Sequence, residues 1–154
     1  MKKVILGLLG AMLWVGLAVA ADAPKAGDEI LGVWHTTDDK STVEIFKKKE
    51  QYFAKILSLK HPNWPANDDQ GMGGKPKNDR RNPDPALRSR AIAGLEFMND
   101  FVYAGKNKWV DGKIYDPEVG KTYSCKMTLV GTNKLEVRGY VGFSMLGRTV
   151  VWTR

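Results

Sequence analysis

Gly32-Val33-Trp34 and Trp152-Thr153-Arg154 decide the fold between them. The first opens a series of short alternating segments and the second closes it. Glycine lets two backbones approach closely, and a guanidinium over an indole face gains roughly 0.5–2 kcal/mol of cation–π attraction. A Gly-x-Trp on a first strand, with an arginine at the end of the last, is how a small ligand-holding barrel plugs its closed end. Trp34 and Arg154 are therefore read as a barrel plug.

The segments between them alternate with period two, and helical periodicity is scarce. Strands are predicted over Ile30–Thr36, Thr42–Lys48, Gln51–Leu59, Leu95–Tyr103, Lys108–Tyr115, Lys121–Val130, Lys134–Tyr140 and Arg148–Thr153. The links after Tyr103, Tyr115 and Val130 carry Gly, Asn, Asp and Pro where hairpin turns need them. Eight strands close into a barrel just wide enough for side chains or one small ligand, and closure removes exposed edges. The fold class is all-β, antiparallel and eight-stranded, with one long loop and a short helix. A Greek-key sandwich is the rival, but the Cys–Trp–Cys core that usually marks it is lacking.

The N-terminus carries an address. Met1-Lys2-Lys3 precedes an apolar run from Val4 to Ala21, with a small-x-small site at Ala18-Val19-Ala20 and acidic residues after it. This reads as a cleavable secretory signal peptide over residues 1–20 rather than an anchor. Residues 21–154 then form a single domain, periplasmic or secreted. The lone Cys125 permits no internal disulfide and lies in the alternating run Tyr123, Cys125, Met127, Leu129, as a buried small hydrophobe would. The net charge is +7, or +5 once Lys2 and Lys3 are removed. That excess suits anionic headgroups, or simply a self-repelling soluble surface.

Lys60 to Asp84 interrupts the strands with Pro62, Pro65, Pro76, Pro83 and a glycine cluster at Gly71, Gly73 and Gly74. Loops this long in a compact domain are usually functional or disordered. Trp64 is expected to anchor the loop on the barrel rim, and Asp68–Lys77 to be mobile. Asp84 can N-cap a short helix with Pro85 at its first position, continuing through Arg90.

Two polar strings follow. Asp79-Arg80-Arg81-Asn82-Pro83-Asp84 leads into Arg88-Ser89-Arg90, where one arginine could enter the barrel and the other meet Asp84 or Asp116. Arginine forks suit carboxylate or phosphate; the other reading is a loop pinned across the mouth. Tyr115-Asp116-Pro117 ends a strand, and a Tyr beside an Asp could do acid–base work if burial shifted its acidity. No catalytic residue is assigned. His35 and His61 lack partners at metal-ligand spacing, so no metal or cofactor is expected, and no nucleophile motif, phosphate loop or nucleic-acid motif is present.

Taken in order, Gly32-Val33-Trp34, Asn82-Pro83-Asp84, Leu87-Arg88-Ser89-Arg90, Trp109, Gly112–Pro117, Gly120–Tyr123, Arg138-Gly139-Tyr140, Gly147-Arg148-Thr149 and Trp152-Thr153-Arg154 resemble the bacterial exported domain-of-unknown-function family 2147. Ala91 and Ala54 depart from it, where proline and glycine are frequent. The resemblance implies a calycin-like, lipocalin-type barrel and supplies no activity or ligand. Its motif positions Asn82, Asp84, Arg88, Arg90, Tyr115, Asp116, Arg138 and Arg148 become candidate pocket or mouth residues.

The leading expectation is a monomeric envelope protein holding a small apolar or anionic amphipathic molecule. Val43, Ile45, Phe53, Leu57, Tyr123, Met127, Leu135 and Val137 would line the barrel, with Arg88 or Arg90 at the mouth. A structural module with a solid core, binding an envelope protein or an anionic lipid surface, is the alternative. An enzyme would instead require Asp84, Arg88, Tyr115 and Asp116 to converge.

Overall fold

The computed structural model describes residues 25–154; the leader expected over residues 1–20 lies outside the described residues. Eight antiparallel strands form one closed barrel in sequential order: β1 (Gly32–His35), β2 (Ser41–Lys48), β3 (Gln51–Leu59), β4 (Glu96–Gly105), β5 (Lys108–Asp116), β6 (Lys121–Val130), β7 (Lys134–Tyr140) and β8 (Gly147–Thr153). The fold class read from period two holds, with boundaries moved by a few residues at most.

Closure is uneven around the ring. β7 pairs with β8 along seven residues, from Lys134↔Thr153 to Tyr140↔Gly147, whereas β8 meets β1 at a single ladder pair, His35↔Thr153. Side chains complete this seam. The Arg154 guanidinium lies 4.3 Å from the centre of the Trp34 ring. Its nitrogens donate to the carbonyls of Glu29 at 2.6 Å, Thr132 at 3.1 Å and Leu31 at 3.2 Å. The Thr37 hydroxyl adds a bond to the Val151 carbonyl at 3.0 Å.

Beneath the barrel, residues 25–31 cross the closed end. Trp34 is fully buried and donates its indole N–H to the Ile30 carbonyl at 2.8 Å. Trp109, also fully buried, donates to Gly27 at 3.2 Å. Gly27 has φ +98°, and a Cβ there would strike Tyr103 and the Tyr52 hydroxyl, so this crossing admits glycine alone. Asp28 accepts from the Tyr52 hydroxyl at 2.7 Å and from Lys47 at 2.9 Å.

Above the plug the core is solid. Val43, Met98, Phe101, Cys125 and Leu135 have no accessible surface, either outside or towards an internal void. Burial pushes the Cys125 thiol up to about 12, against weaker help from the Lys126 and Arg138 backbone. Gly112 makes room for Phe101: a Cβ there would overlap the ring.

One strand faces differently from expectation. On β3 the buried residues are Tyr52, Ala54 and Ile56, while Phe53 and Leu57 point outward, Leu57 with 41% of its surface exposed. Phe53 instead stacks on Phe46 across the ladder at 6.0 Å, with Lys48 4.8 Å from its ring. An outer aromatic pair under lysines imitates a core-facing pair in sequence, because both satisfy the same alternation.

Gly112→Ala is expected to cost about 1–3 kcal/mol through overpacking, and Phe101→Leu in the same chain to recover part of it, as read by chemical denaturation. Arg154→Lys should behave like Arg154→Gln, since an ammonium cannot reproduce a fork that meets three carbonyls. Hydrogen exchange at the β1–β8 seam reads that equivalence.

Candidate functional site

The β3–β4 loop, the hairpin after β5 and the β7–β8 loop gather at the end of the barrel opposite the plug. The long loop is held by its own hydrogen bonds. Trp64 and Lys75 are paired through the backbone at 2.9 Å, and Lys77 donates to Pro62 at 2.8 Å. The Asp68 carboxylate accepts from the Gln70 and Met72 amides, each at 3.1 Å, and from Arg80 at 2.8 Å. Burial raises the Asp68 pKa, but the Arg80 bond and the two amides outweigh it, so the carboxyl sits below its usual value. Arg80 lies 3.5 Å from the centre of the Trp64 ring, and the Trp64 N–H bonds Asn78 at 3.1 Å. The stretch expected to be mobile is thus tied down, and Trp64 anchors the loop to itself.

Asp79 is the hub of the second half of this loop, fully buried. One carboxylate oxygen accepts from the Tyr115 hydroxyl at 2.6 Å. The other accepts from Arg90 Nε at 2.9 Å, Arg90 Nη2 at 2.8 Å and the Asn82 amide at 2.8 Å. Asn82 also reaches the Tyr115 hydroxyl at 3.1 Å and, through its carbonyl oxygen, caps the Asp84 amide at 2.9 Å. Burial first, then the neighbouring Asp79, pushes the Tyr115 phenol up to about 12. A buried carboxylate needs this many donors to offset its lost hydration.

The expected helix is a single 3₁₀ turn, Pro85–Leu87, capped by Asp84 on the Ala86 amide at 2.9 Å. It stops because the next carbonyls are used elsewhere: Arg88 accepts from the Asn78 side chain at 2.8 Å and Arg90 from the Asp79 amide at 2.9 Å.

Of the eight candidate residues, Asn82, Arg90 and Tyr115 come together, around Asp79 rather than around Asp84 or Asp116. Asp84 and Asp116 each cap a separate turn, Asp116 on the Glu118 amide at 2.9 Å. The convergence an acid–base site would require is not formed. Arg88 donates to the Asn82 carbonyl at 2.8 Å, and Arg138 to the Ser144 carbonyl at 2.7 Å and the Thr149 hydroxyl at 2.8 Å. Arg90 is committed to Asp79, whereas Arg88 stays exposed and makes no ion pair among the described residues. Arg148 makes no ion pair among the described residues.

Arg148 stands opposite Gly139 on the ladder, in the row whose lower members Leu135, Val137 and Trp152 are buried in the barrel. Gly139, Ile114, Tyr123 and Val150 continue this inward face toward the mouth and are only part-buried. A Cβ on Gly139 would lie 3.6 Å from Ile114 and 3.9 Å from Tyr123. Outside the same rim, Lys113, Thr122, Tyr123, Ser124, Tyr140 and Val141 help form an open groove of about 210 Å³. A second open groove, about 350 Å³, involves His35, Ser41, Thr42, Leu59 and Lys60. Among the described residues no cluster of three His, Cys, Asp or Glu side chains could hold a metal ion.

A family model described as an uncharacterized protein conserved in bacteria matches residues 32–154. The chain belongs to domain-of-unknown-function family 2147. The match begins at Gly32, on β1, and takes in every strand of the barrel. A solved structure from Helicobacter pylori, of a protein described as belonging to the lipocalin family, is similar to this family 2147 chain. The TM-score is 0.67 and the identity 29%, over 81% of this chain and 82% of that one. None of the curated proteins matches in sequence. The architecture is therefore a lipocalin-like barrel, a fold suited in general to binding ligands.

Asp79→Ala is expected to destabilise the fold by about 3–5 kcal/mol, because it leaves Arg90 and Tyr115 partly buried without their partner. Tyr115→Phe should cost about 1–2 kcal/mol at neutral pH. The folded phenol titrates above the unfolded one, so its contribution is intact below about pH 10 and falls as pH rises towards the folded value. Wild-type stability should consequently drop more steeply than that of Tyr115→Phe on raising the pH through this window, as followed by urea titration.

Proposed function

We propose that the protein is an exported binding protein of the bacterial envelope, periplasmic or secreted, that takes a small apolar or amphipathic molecule in the mouth half of its barrel. The observation that carries this reading is the change along one inward row. Leu135 and Val137 are sealed, whereas Gly139 above them has no side chain, its neighbours Ile114 and Tyr123 keep accessible surface, and Arg148 heads the row with no ion-pair partner among the described residues. Apolar walls headed by a guanidinium without a carboxylate partner suit a lipid-like molecule with an anionic group. The lipocalin-family neighbour supports the same class of function.

The solid lower core supports a shallower seat than a deep cavity, with the tail lying over Ile114, Tyr123 and Val150. It also favours a second reading, an interaction module whose rim alone meets partners. A retained small-molecule adduct separates the two.

Native mass spectrometry of protein purified gently from its host is expected to show such an adduct, and dansyl-undecanoic acid to bind saturably. Gly139→Val should weaken that probe roughly tenfold by filling the row. Arg148→Gln should weaken it about fivefold while leaving the matching alcohol unaffected. No adduct and no saturable binding would leave the interaction module standing.

A further inference from the structure

Val141-Gly142-Phe143-Ser144-Met145-Leu146 links β7 to β8 at the mouth, and its apolar side chains stand in solvent. Met145 is 88% exposed, Phe143 79%, Leu146 78% and Val141 67%. Other exposed apolar residues, such as Val33, Leu57 and Val102, are at most half uncovered and belong to separate strands. Scattered single residues need no explanation, but a contiguous tip does.

The loop is held in this posture. Arg138 donates to the Ser144 carbonyl at 2.7 Å, to the Met145 carbonyl at 3.2 Å and to the Thr149 hydroxyl on β8 at 2.8 Å. The Leu146 amide closes a turn onto the Phe143 carbonyl at 3.0 Å. With its carbonyls tethered to the barrel wall, the segment presents its side chains away from the rim.

The charge beside the loop is mainly basic. Lys113, Lys121, Lys126, Arg138 and Arg148 stand on the neighbouring strands, while Asp116, the ladder partner of Lys121, and Glu118 of the same hairpin are the acidic groups on that side of the mouth. Glu136 lies opposite Thr128 and Val151, towards the plug end of β7, away from the loop.

We infer that the β7–β8 loop docks the protein on an anionic lipid bilayer. Phe143, Met145 and Leu146 enter the boundary between headgroups and acyl chains, and Lys121 and Lys126 meet the lipid phosphates. Interfacial binding of this kind needs apolar side chains buried only about 5–10 Å deep, with basic residues above them. A stable protein interface needs roughly 800 Å² from each partner, more than a convex tip of four side chains supplies. A second copy would bring like charges together.

The test uses the chain from Ala21 onward, which carries the whole barrel without the apolar leader, and co-sedimentation with vesicles of phosphatidylcholine alone or mixed equally with phosphatidylglycerol. Binding is expected to the mixed vesicles, weakened by salt. Replacing Phe143, Met145 and Leu146 together by serine should lower partitioning roughly 30-fold or more, and Lys121→Gln with Lys126→Gln roughly tenfold. Phe143→Trp should shift its emission to the blue on the mixed vesicles. An unchanged melting temperature shows that the variants fold. Equal binding by the triple serine variant, equal binding to phosphatidylcholine alone, or no binding at low salt overturns the inference. So does self-association that the triple variant abolishes.

Discussion

Closing a sheet of eight strands leaves the first and last to find each other, and here they share only His35 and Thr153 as a ladder pair. What makes the ring continuous is the guanidinium of Arg154, set on the Trp34 ring and bonded to three carbonyls on two segments. The planar fork does two jobs that backbone pairing would otherwise share. It satisfies two carbonyls just before β1 and one in the β6–β7 turn, and it covers one face of an indole whose N–H is already spent on Ile30. Trp34, Trp109 and the crossing segment can then pack without solvent, and the solid lower core rests on that floor.

The mouth is stabilised by different physics. Its centre is a carboxylate, Asp79, removed from water and compensated by a guanidinium, a phenol and an amide. Such a hub specifies one geometry more than it adds stability, since an equally well-packed apolar cluster would fold as well. Its effect is to fix the long β3–β4 loop against the end of β5, so that the rim has a defined shape.

The barrel was legible because alternation, turn residues and the paired tryptophan and arginine all point to one architecture. The inner face of β3 was not, because Phe53 and Leu57 lie on an outer strip that obeys the same period as Tyr52, Ala54 and Ile56. At the mouth, the sequence picked out Asn82, Arg90 and Tyr115 but gave the acidic role to Asp84 or Asp116. Which of several aspartates in a proline-rich loop turns inward depends on backbone geometry at Asn82 and Arg90, and neither spacing nor composition encodes that. The tip at Phe143–Leu146 lies between the strands predicted over Lys134–Tyr140 and Arg148–Thr153, and its exposure depends on Arg138 holding its carbonyls, which spacing does not encode.

Cys125 sits with its sulfur wholly enclosed, and burial holds its proton on far above neutrality. Thiolate is the form that attacks disulfides and oxidants. Once the sheet has closed, this atom is therefore chemically silent, and an oxidising compartment offers it no reaction. Mixed disulfides and chain-to-chain crosslinks are available only to molecules that have not yet folded or have come apart, so trapping by a thiol reagent would count opened barrels one by one.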